Sequence, residues 1–462
     1  MNLIDTLGSL KNALKFDSNK KIKKGLILKI LEAARWAPSA GNQQVWRFIS
    51  IDDNEKIKFI REAIKDGDPR LIKRLSVLKK IKEENVNKAS FRFDESYFNV
   101  EQDMYQSEMQ NIHRIDVLSA QSAPIFIICC HSNRLTGKVY GETEMGAAII
   151  NMILVANEMG LSTRWIRIFN REYVREQFQI PKHISIDAIL ALGFSVEFEE
   201  NISEKPLYLK YFLSHNLWEN PLKIQQDLLE KTKQKEYNLS TIDAILDRRS
   251  IRNYHEGDNY KISLSNMYKI AKSGLYIPLI INKPYIKIIA IDNPKLLSKI
   301  ANSAKMVFVK QSHVQQVPLI ILVAFETKNS TAFYAKIDAG AITQLILLRS
   351  YSLRIGTCWV GSFSRKKTKE IIKCPNNWHL CSLIVLGYSK NYPKPPPRIG
   401  LGKLCSHNYW NKSIVKHQKT LNPKSNFLSI LMRNILKPNV KTLLRDIDVG
   451  CKNPTFLLQK LK

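Results

Sequence analysis

The chain is poor in cysteine, in acidic side chains and in long apolar runs. Seven cysteines occur in 462 residues: Cys129, Cys130, Cys358, Cys374, Cys381, Cys405 and Cys451. No CxxC pair occurs, and no Cys/His spacing fits a zinc site. A disulfide scaffold and a bound metal are therefore not expected, and the thiols read as scattered core or loop residues of a cytoplasmic protein. Clean apolar runs such as 317–325 fall well short of the ~20 residues that a membrane-spanning helix needs. The start, MNLIDTLGSLKN, has no basic segment before an apolar stretch and does not read as a signal peptide. A Gly-rich dinucleotide fingerprint before a helix is also missing.

What is present is an ordinary globular composition, 44% hydrophobic and 24% charged, which rules out whole-chain disorder and a fibrous chain. The length suggests roughly two to four domains. Lys and Arg number 71 against 41 Asp and Glu, a formal net charge of +30. Residues 403–462 alone carry 12 basic and 2 acidic side chains. Such a balance attracts anions. No zinc finger or aromatic ribonucleoprotein signature accompanies it, so nucleic acid is not the expected partner.

The chain repeats itself. YGETEMGAAIINMILVANEMGLSTRWIRIF (140–169) aligns without a gap on YAKIDAGAITQLILLRSYSLRIGTCWVGSF (334–363). Tyr140/Tyr334, Gly146/Gly340, Ala147/Ala341, Leu154/Leu348, Thr163/Thr357, Trp165/Trp359 and Phe169/Phe363 are identical, and Glu144/Asp338 is an acidic match. Each segment reads as a long apolar helix followed by a short strand. Earlier, LIDTLGSLKNALKF (3–16) aligns with TIDAILDRRSIRNY (241–254), and APSAGN (37–42) with IPLIIN (277–282). The offset is 240 at Pro38/Pro278 and 194 at Tyr140/Tyr334, so copy 1 carries 46 extra residues between these anchors. The resulting map is copy 1 at 1–205 with an insertion near 53–115, a connector at 206–240, copy 2 at 241–402 and a basic tail at 403–462. Helices mixed with short apolar strands indicate α+β domains. A tandem whole-domain repeat suggests a fused pseudo-dimer.

Two segments carry candidate chemistry. RRSIRNY (248–254) puts Arg248, Arg249, Ser250 and Arg252 near the end of a helix, a set of donors suited to phosphate. In APSAGNQQVW (37–46) a helix stops at Pro38, the small residues Ser39, Ala40 and Gly41 allow close approach to a flat ligand, and Asn42 and Gln44 offer amides. A solvated Arg cluster and an ordinary helix-to-strand turn remain the plainer alternatives. The isolated histidines, His131, His255, His313, His379 and His407, receive no catalytic role. Glu142 and Glu144, at the start of a helix, read as structural.

Taken in order, these motifs resemble the FMN-dependent nitroreductase family over roughly 1–200 and 241–400. Copy 1 carries a PS-x-x-N-x-Q-x-W turn. Copy 2 carries RRS-x-R, a DAG-led helix at 338–340, GTCWVGSF at 356–363 and an LGY…PPPR ending at 386–398. The resemblance implies an α+β tandem nitroreductase-like pseudo-dimer with mainly antiparallel sheets. It also implies flavin sites shared between two copies, one giving the Arg/Ser motif, a Gly-containing loop and a late basic residue, the other giving the turn. Copy 2 keeps Arg248, Ser250, Arg252, Gly361 and Arg398, whereas the aligned copy 1 positions are Leu10, Asn12, Leu14 and Arg167, and nothing matches Arg398. Copy 1 keeps Pro38, Ser39, Asn42 and Gln44, whereas copy 2 has Leu279 for the serine and Lys283-Pro284 in the glutamine register. The losses are complementary, so one composite FMN site per chain is expected.

The resemblance further implies hydride transfer through FMN between a donor such as transiently bound NAD(P)H and a small organic acceptor. It implies no dedicated catalytic acid or base, so only cofactor ligands are named. Two rival readings are a peptide or azoline-type FMN dehydrogenase, with the basic tail or insertion holding a peptide or carrier partner, and a non-catalytic flavin-binding protein.

Overall fold

The computed structural model describes residues 2–71, 96–134, 136–198, 209–222, 239–277, 285–306, 309–327 and 332–415. Most of the basic tail, the middle of the insertion, most of the connector and the 278–284 turn of copy 2 lie outside them.

Two long helices, Gly137–Glu158 and Ala332–Ser352, form the centre. Both are apolar nearly all round, and such a helix must be buried on every side. Gly137–Glu158 is long and apolar enough to cross a membrane by length and composition, but 83% of its apolar window is buried inside the protein. The helices meet at the repeated glycines. A Cβ on Gly146 would stand 1.9 Å from the Ile337 carbonyl oxygen, and one on Gly340 would stand 1.9 Å from that of Thr143. The two contacts are equivalent under exchange of the copies, as a pseudo-twofold rotation requires. Gly340→Val is expected to push the helices apart and cost about 3 kcal/mol; an unchanged thermal midpoint would contradict this crossing.

Each copy lays a five-stranded sheet against the helices. In copy 1 the order is Cys405–His407, Trp46–Ile51, Ile125–Ser132, Ile184–Gly193 and Ser162–Ile166; in copy 2 it is Leu213–His215, Ile286–Ile291, Leu319–Glu326, Trp378–Gly387 and Gly356–Val360. The first pairing of each sheet is parallel and the others are antiparallel. The inner faces join one core shared by both copies, with Trp46, Ile127 and Ile149 beside Ile288, Ile342 and Leu386. Each outer face has a smaller core, around Phe126 and Phe178 in copy 1 and around Ile320 and Val385 in copy 2. The tandem α+β architecture with mainly antiparallel sheets thus holds.

The edge strands are exchanged. Residues 405–407, which the sequence map puts in the tail, extend copy 1's sheet, and 213–215, mapped to the connector, extend copy 2's. Both arms carry Ser-His-Asn. Asn216 Oδ1 accepts from the Asp292 and Asn293 N–H groups at 3.1 and 3.0 Å, and Asn408 Oδ1 from those of Asp52 and Asp53 at 3.0 and 3.3 Å. Both asparagines have left-handed backbone, φ 64° and 60°, which Asn tolerates better than most residues. The insertion is also narrower than the mapped 53–115. Helix Asn54–Asp66 has a counterpart after the equivalent strand of copy 2, Pro294–Ser303. The extra length follows it and includes helix Ser96–Ser122.

Candidate functional site

The sequence-named residues of the two copies converge on one side of the pseudo-dimer. Helix Lys24–Arg35 stops before Pro38, and the chain turns through Gly41, Asn42 and Gln44 with φ of 56°, 57° and 51°. Three left-handed residues so close together need support. Ser39 Oγ accepts from Gln44 N–H at 3.1 Å. Copy 2 supplies further support from its Pro397–Ile399 segment. Asn42 Nδ2 donates to the Pro397 carbonyl at 2.8 Å, Gln44 Oε1 accepts from Ile399 N–H at 2.8 Å, and Gln44 Nε2 donates to the Asn42 and Pro397 carbonyls at 3.1 and 3.4 Å. Gln44 is buried and its amide is fully used, so it acts as a clamp between copies rather than as an open ring-edge contact. Arg398 donates to the carbonyls of Ala37 at 3.1 Å and Trp36 at 3.2 Å and to Asn42 Oδ1 at 3.4 Å.

Beside this turn stands a cluster of guanidinium groups. Arg249 and Arg398 lie over the Trp36 ring, 5.5 and 4.9 Å from its centroid, within cation–π range. Arg248 is buried; burial, together with Arg249 and Arg252, lowers its pKa to about 10. Burial and then Arg248, Arg35 and Arg249 lower that of Arg398 to about 9. A guanidinium does not give up its proton in a protein, so these shifts mark an unrelieved positive charge. Arg248 Nε and Nη1, Arg249 Nε and Arg398 Nε are buried without a partner. Glu32, which acts on Arg398 from the acidic side, is already held by Arg35 and by Trp36 Nε1 at 2.9 Å. Buried charged donors without acceptors are costly, and a phosphate fits this set in charge and donor count.

The remaining named residues complete a wall. Ser250 bridges to Thr357, and Ile251 N–H donates to the Thr357 carbonyl at 2.8 Å. This sets the Arg-motif segment along strand Gly356–Val360, which leads directly to Gly361. Arg252 is exposed. A Cβ on Gly361 would lie 3.0 Å from the Tyr140 hydroxyl of copy 1, so the glycine loop also faces the other copy. The approach is close enough for glycine to matter. Among the described residues no group of His, Cys, Asp and Glu could hold a metal ion.

The pseudosymmetric position is built differently. Asn12 bridges to Thr163 as Ser250 does to Thr357, so the aligned positions are spatially equivalent. There Leu10, Asn12 and Leu14 replace the arginines and serine, and Arg167 replaces Gly361. The Arg167 guanidinium lies 3.8 Å from the Trp165 ring centroid and donates to Asp338 Oδ1 from Nε at 3.0 Å and Nη2 at 2.7 Å. Tyr285 donates to the other Asp338 oxygen. Next to them, Asp68 accepts from Tyr334 at 3.1 Å, Arg171 at 2.7 Å and Arg70 at 2.8 Å. The chain's own ion pairs occupy this position.

Sequence reasoning missed the two Ser-His-Asn arms, the Arg167–Asp338 pair and Glu144, whose Oε1 accepts from Ala40 N–H at 2.6 Å. The arms had a signal: SHNLW (214–218) and SHNYW (406–410) are a second internal repeat.

A model of the nitroreductase family matches residues 15–194 and 303–388. A protein of Archaeoglobus fulgidus named for NADH dehydrogenase/NAD(P)H nitroreductase activity is 25% identical over 190 residues, covering 40% of this chain and 80% of that protein. An NADH dehydrogenase of Thermus thermophilus is 27% identical over 177 residues, covering 38% and 78%. The structure of an FMN-dependent nitroreductase from Clostridium difficile R20291 is 21% identical with a TM-score of 0.31, covering 44% of this chain and 95% of that one. With two matched segments that span more than half of its length, the chain belongs to the nitroreductase family of oxidoreductases.

Proposed function

We propose that the chain is an FMN-dependent oxidoreductase with one composite flavin site. The observation that carries this reading is the buried arginine cluster beside the left-handed turn, with no acceptor among the described residues for its free donors. Arg248, Arg249 and Arg398 would hold the flavin phosphate, assisted by Ser250 and Arg252. Pro38, Ser39 and Asn42 would line the flavin, and Gln44 would fix the turn to copy 2. FMN when bound supplies hydride acceptance and donation, with NAD(P)H as transient donor and a small organic molecule as acceptor. The protein's part is to hold the ring and keep water from it. Gly361 lets the Tyr140 ring of copy 1 pack directly against its loop, where a Cβ would come within 3.0 Å of the ring. The names of the relatives favour NAD(P)H as donor. No described feature selects a peptide partner.

The test is flavin stoichiometry by acid release from the purified chain. About one FMN per chain is expected, because the second position lacks the arginines and is occupied by Arg167. The stoichiometry should stay near one in Arg167→Gly, since opening that position does not restore the phosphate donors. A count near two in the wild type would overturn the single-site reading, and none after reconstitution would overturn the flavin assignment.

A further inference from the structure

The two copies place an acidic residue at the same point of their central helices, Glu144 and Asp338, and treat it in opposite ways. Asp338 is fully buried and is held as an anion by the Arg167 guanidinium and the Tyr285 hydroxyl. The residues that correspond to Arg167 and Tyr285 in the alignment of the two copies are Gly361 and Val45. Neither offers a side-chain donor. Glu144 is nevertheless 2% exposed. Its Oε1 accepts from Ala40 N–H, and its Oε2 is buried with no partner. An unpaired carboxylate so placed would be strongly disfavoured, and the group relieves this by keeping its proton.

The surroundings agree. Burial pushes Glu144 up to about 8, against the opposing influence of Ala40 N–H and of His131 on the neighbouring strand. His131 is itself bound to Asp187 at 2.7 Å. On the same helix Glu142 points to Lys336 of copy 2 at 2.9 Å, and Tyr140 meets Gly361. No described cation bonds to Glu144. The residue it touches, Ala40, lies between Ser39 and the left-handed Gly41 and Asn42, in the turn that carries half of the composite site.

We propose that Glu144 is a positioning residue that works as a neutral carboxylic acid: it anchors the Ser39–Gln44 turn while keeping a negative charge away from the anion-binding wall, so that losing its proton weakens flavin binding. This rests on the composite-site reading. Glycine at 361, where copy 1 has Arg167, leaves the acid without the partner that would otherwise ionise it. The direction of the effect on stability is fixed by linkage. The folded-state pKa is raised, so the stabilisation is complete below the ordinary glutamate value and is lost as pH rises through about 8.

The experiment compares the wild type with Glu144→Gln and Glu144→Ala between about pH 6 and about pH 9.5. Thermal unfolding is followed without flavin, and FMN affinity by flavin fluorescence. Glutamine copies the neutral acid. Wild-type stability should therefore fall relative to Glu144→Gln as pH rises. Wild-type FMN affinity should weaken about tenfold across the range while that of Glu144→Gln stays level. Glu144→Ala should bind weakly at every pH. Unfolding curves of wild type and Glu144→Gln that stay parallel, with FMN bound normally, overturn the proposal and leave the composite site standing. Failure of all three proteins to take up FMN overturns the composite-site reading and the proposal with it.

Discussion

Arg248→Ala and Arg398→Ala should each lower FMN affinity by about 10- to 100-fold, and together they should leave the purified protein without flavin. A hydrogen bond to a charged group contributes about 1.5–3 kcal/mol, and each guanidinium would bring at least one such bond to a phosphate. The same geometry predicts an opposite effect on the flavin-free protein. Arg248 is buried with Nε and Nη1 unpartnered and with Arg249 and Arg252 acting against its charge. Replacing it with methionine removes a charge that the flavin-free fold does not compensate. The thermal midpoint of the apo-protein should hold steady or rise, while the increase that FMN causes in the wild type should disappear. A drop in the apo midpoint with unchanged flavin affinity would show that Arg248 is a structural residue. Arg398 is less suited to this test, because it also donates to the Trp36 and Ala37 carbonyls.

Asp338→Ala should destabilise the chain by about 3–5 kcal/mol, the usual result of stripping one partner from a buried ion pair. It would leave the Arg167 guanidinium buried over Trp165 and would deprive Tyr285 of its acceptor. The double substitution Arg167→Met/Asp338→Leu should cost less than Asp338→Ala alone, because no charge is then stranded. Thermal or denaturant unfolding reads both. A single substitution that is neutral would mean that the pair does not close the second position. This pair also explains the asymmetry of the molecule. In one half the interface between copies ends in arginines with unpartnered donors, and in the other it ends in an arginine paired with Asp338.

Much of this was legible in the sequence. The apolar helices 140–158 and 334–352, the short apolar strands and the repeat that relates them follow from periodicity and self-similarity, which are local properties. The complementary loss of motifs, with RRS-x-R in copy 2 and PS-x-x-N-x-Q in copy 1, led to the expectation of a single shared site. In the fold, Asn42 and Gln44 are in fact bonded to 397–399. The family model matches 15–194, which holds the PS-x-x-N-x-Q turn, and 303–388, which leaves RRS-x-R outside.

Other features depended on distances that no local pattern carries. Strands 213–215 and 405–407 are three residues each, too short for an alternating pattern, and they are strands only because an edge of the opposite copy's sheet lies open to them. In the sequence Arg167 is only the residue aligned with Gly361; its role comes from Asp338, 171 residues away in the chain. Gln44 looked like a ligand contact and is a clamp, because its partners come from the far end of copy 2. Glu144 looked like an ordinary acid in the first turns of a helix. Its neutrality is decided by which residues face it across the pseudo-twofold, and burial energy is set by those neighbours and not by the residue type. The sequence by itself determined the two copies, their elements and which copy holds which motif. Only the tertiary structure decided which charges are paired, because pairing depends on what the folded interface brings within a few ångströms and shields from water.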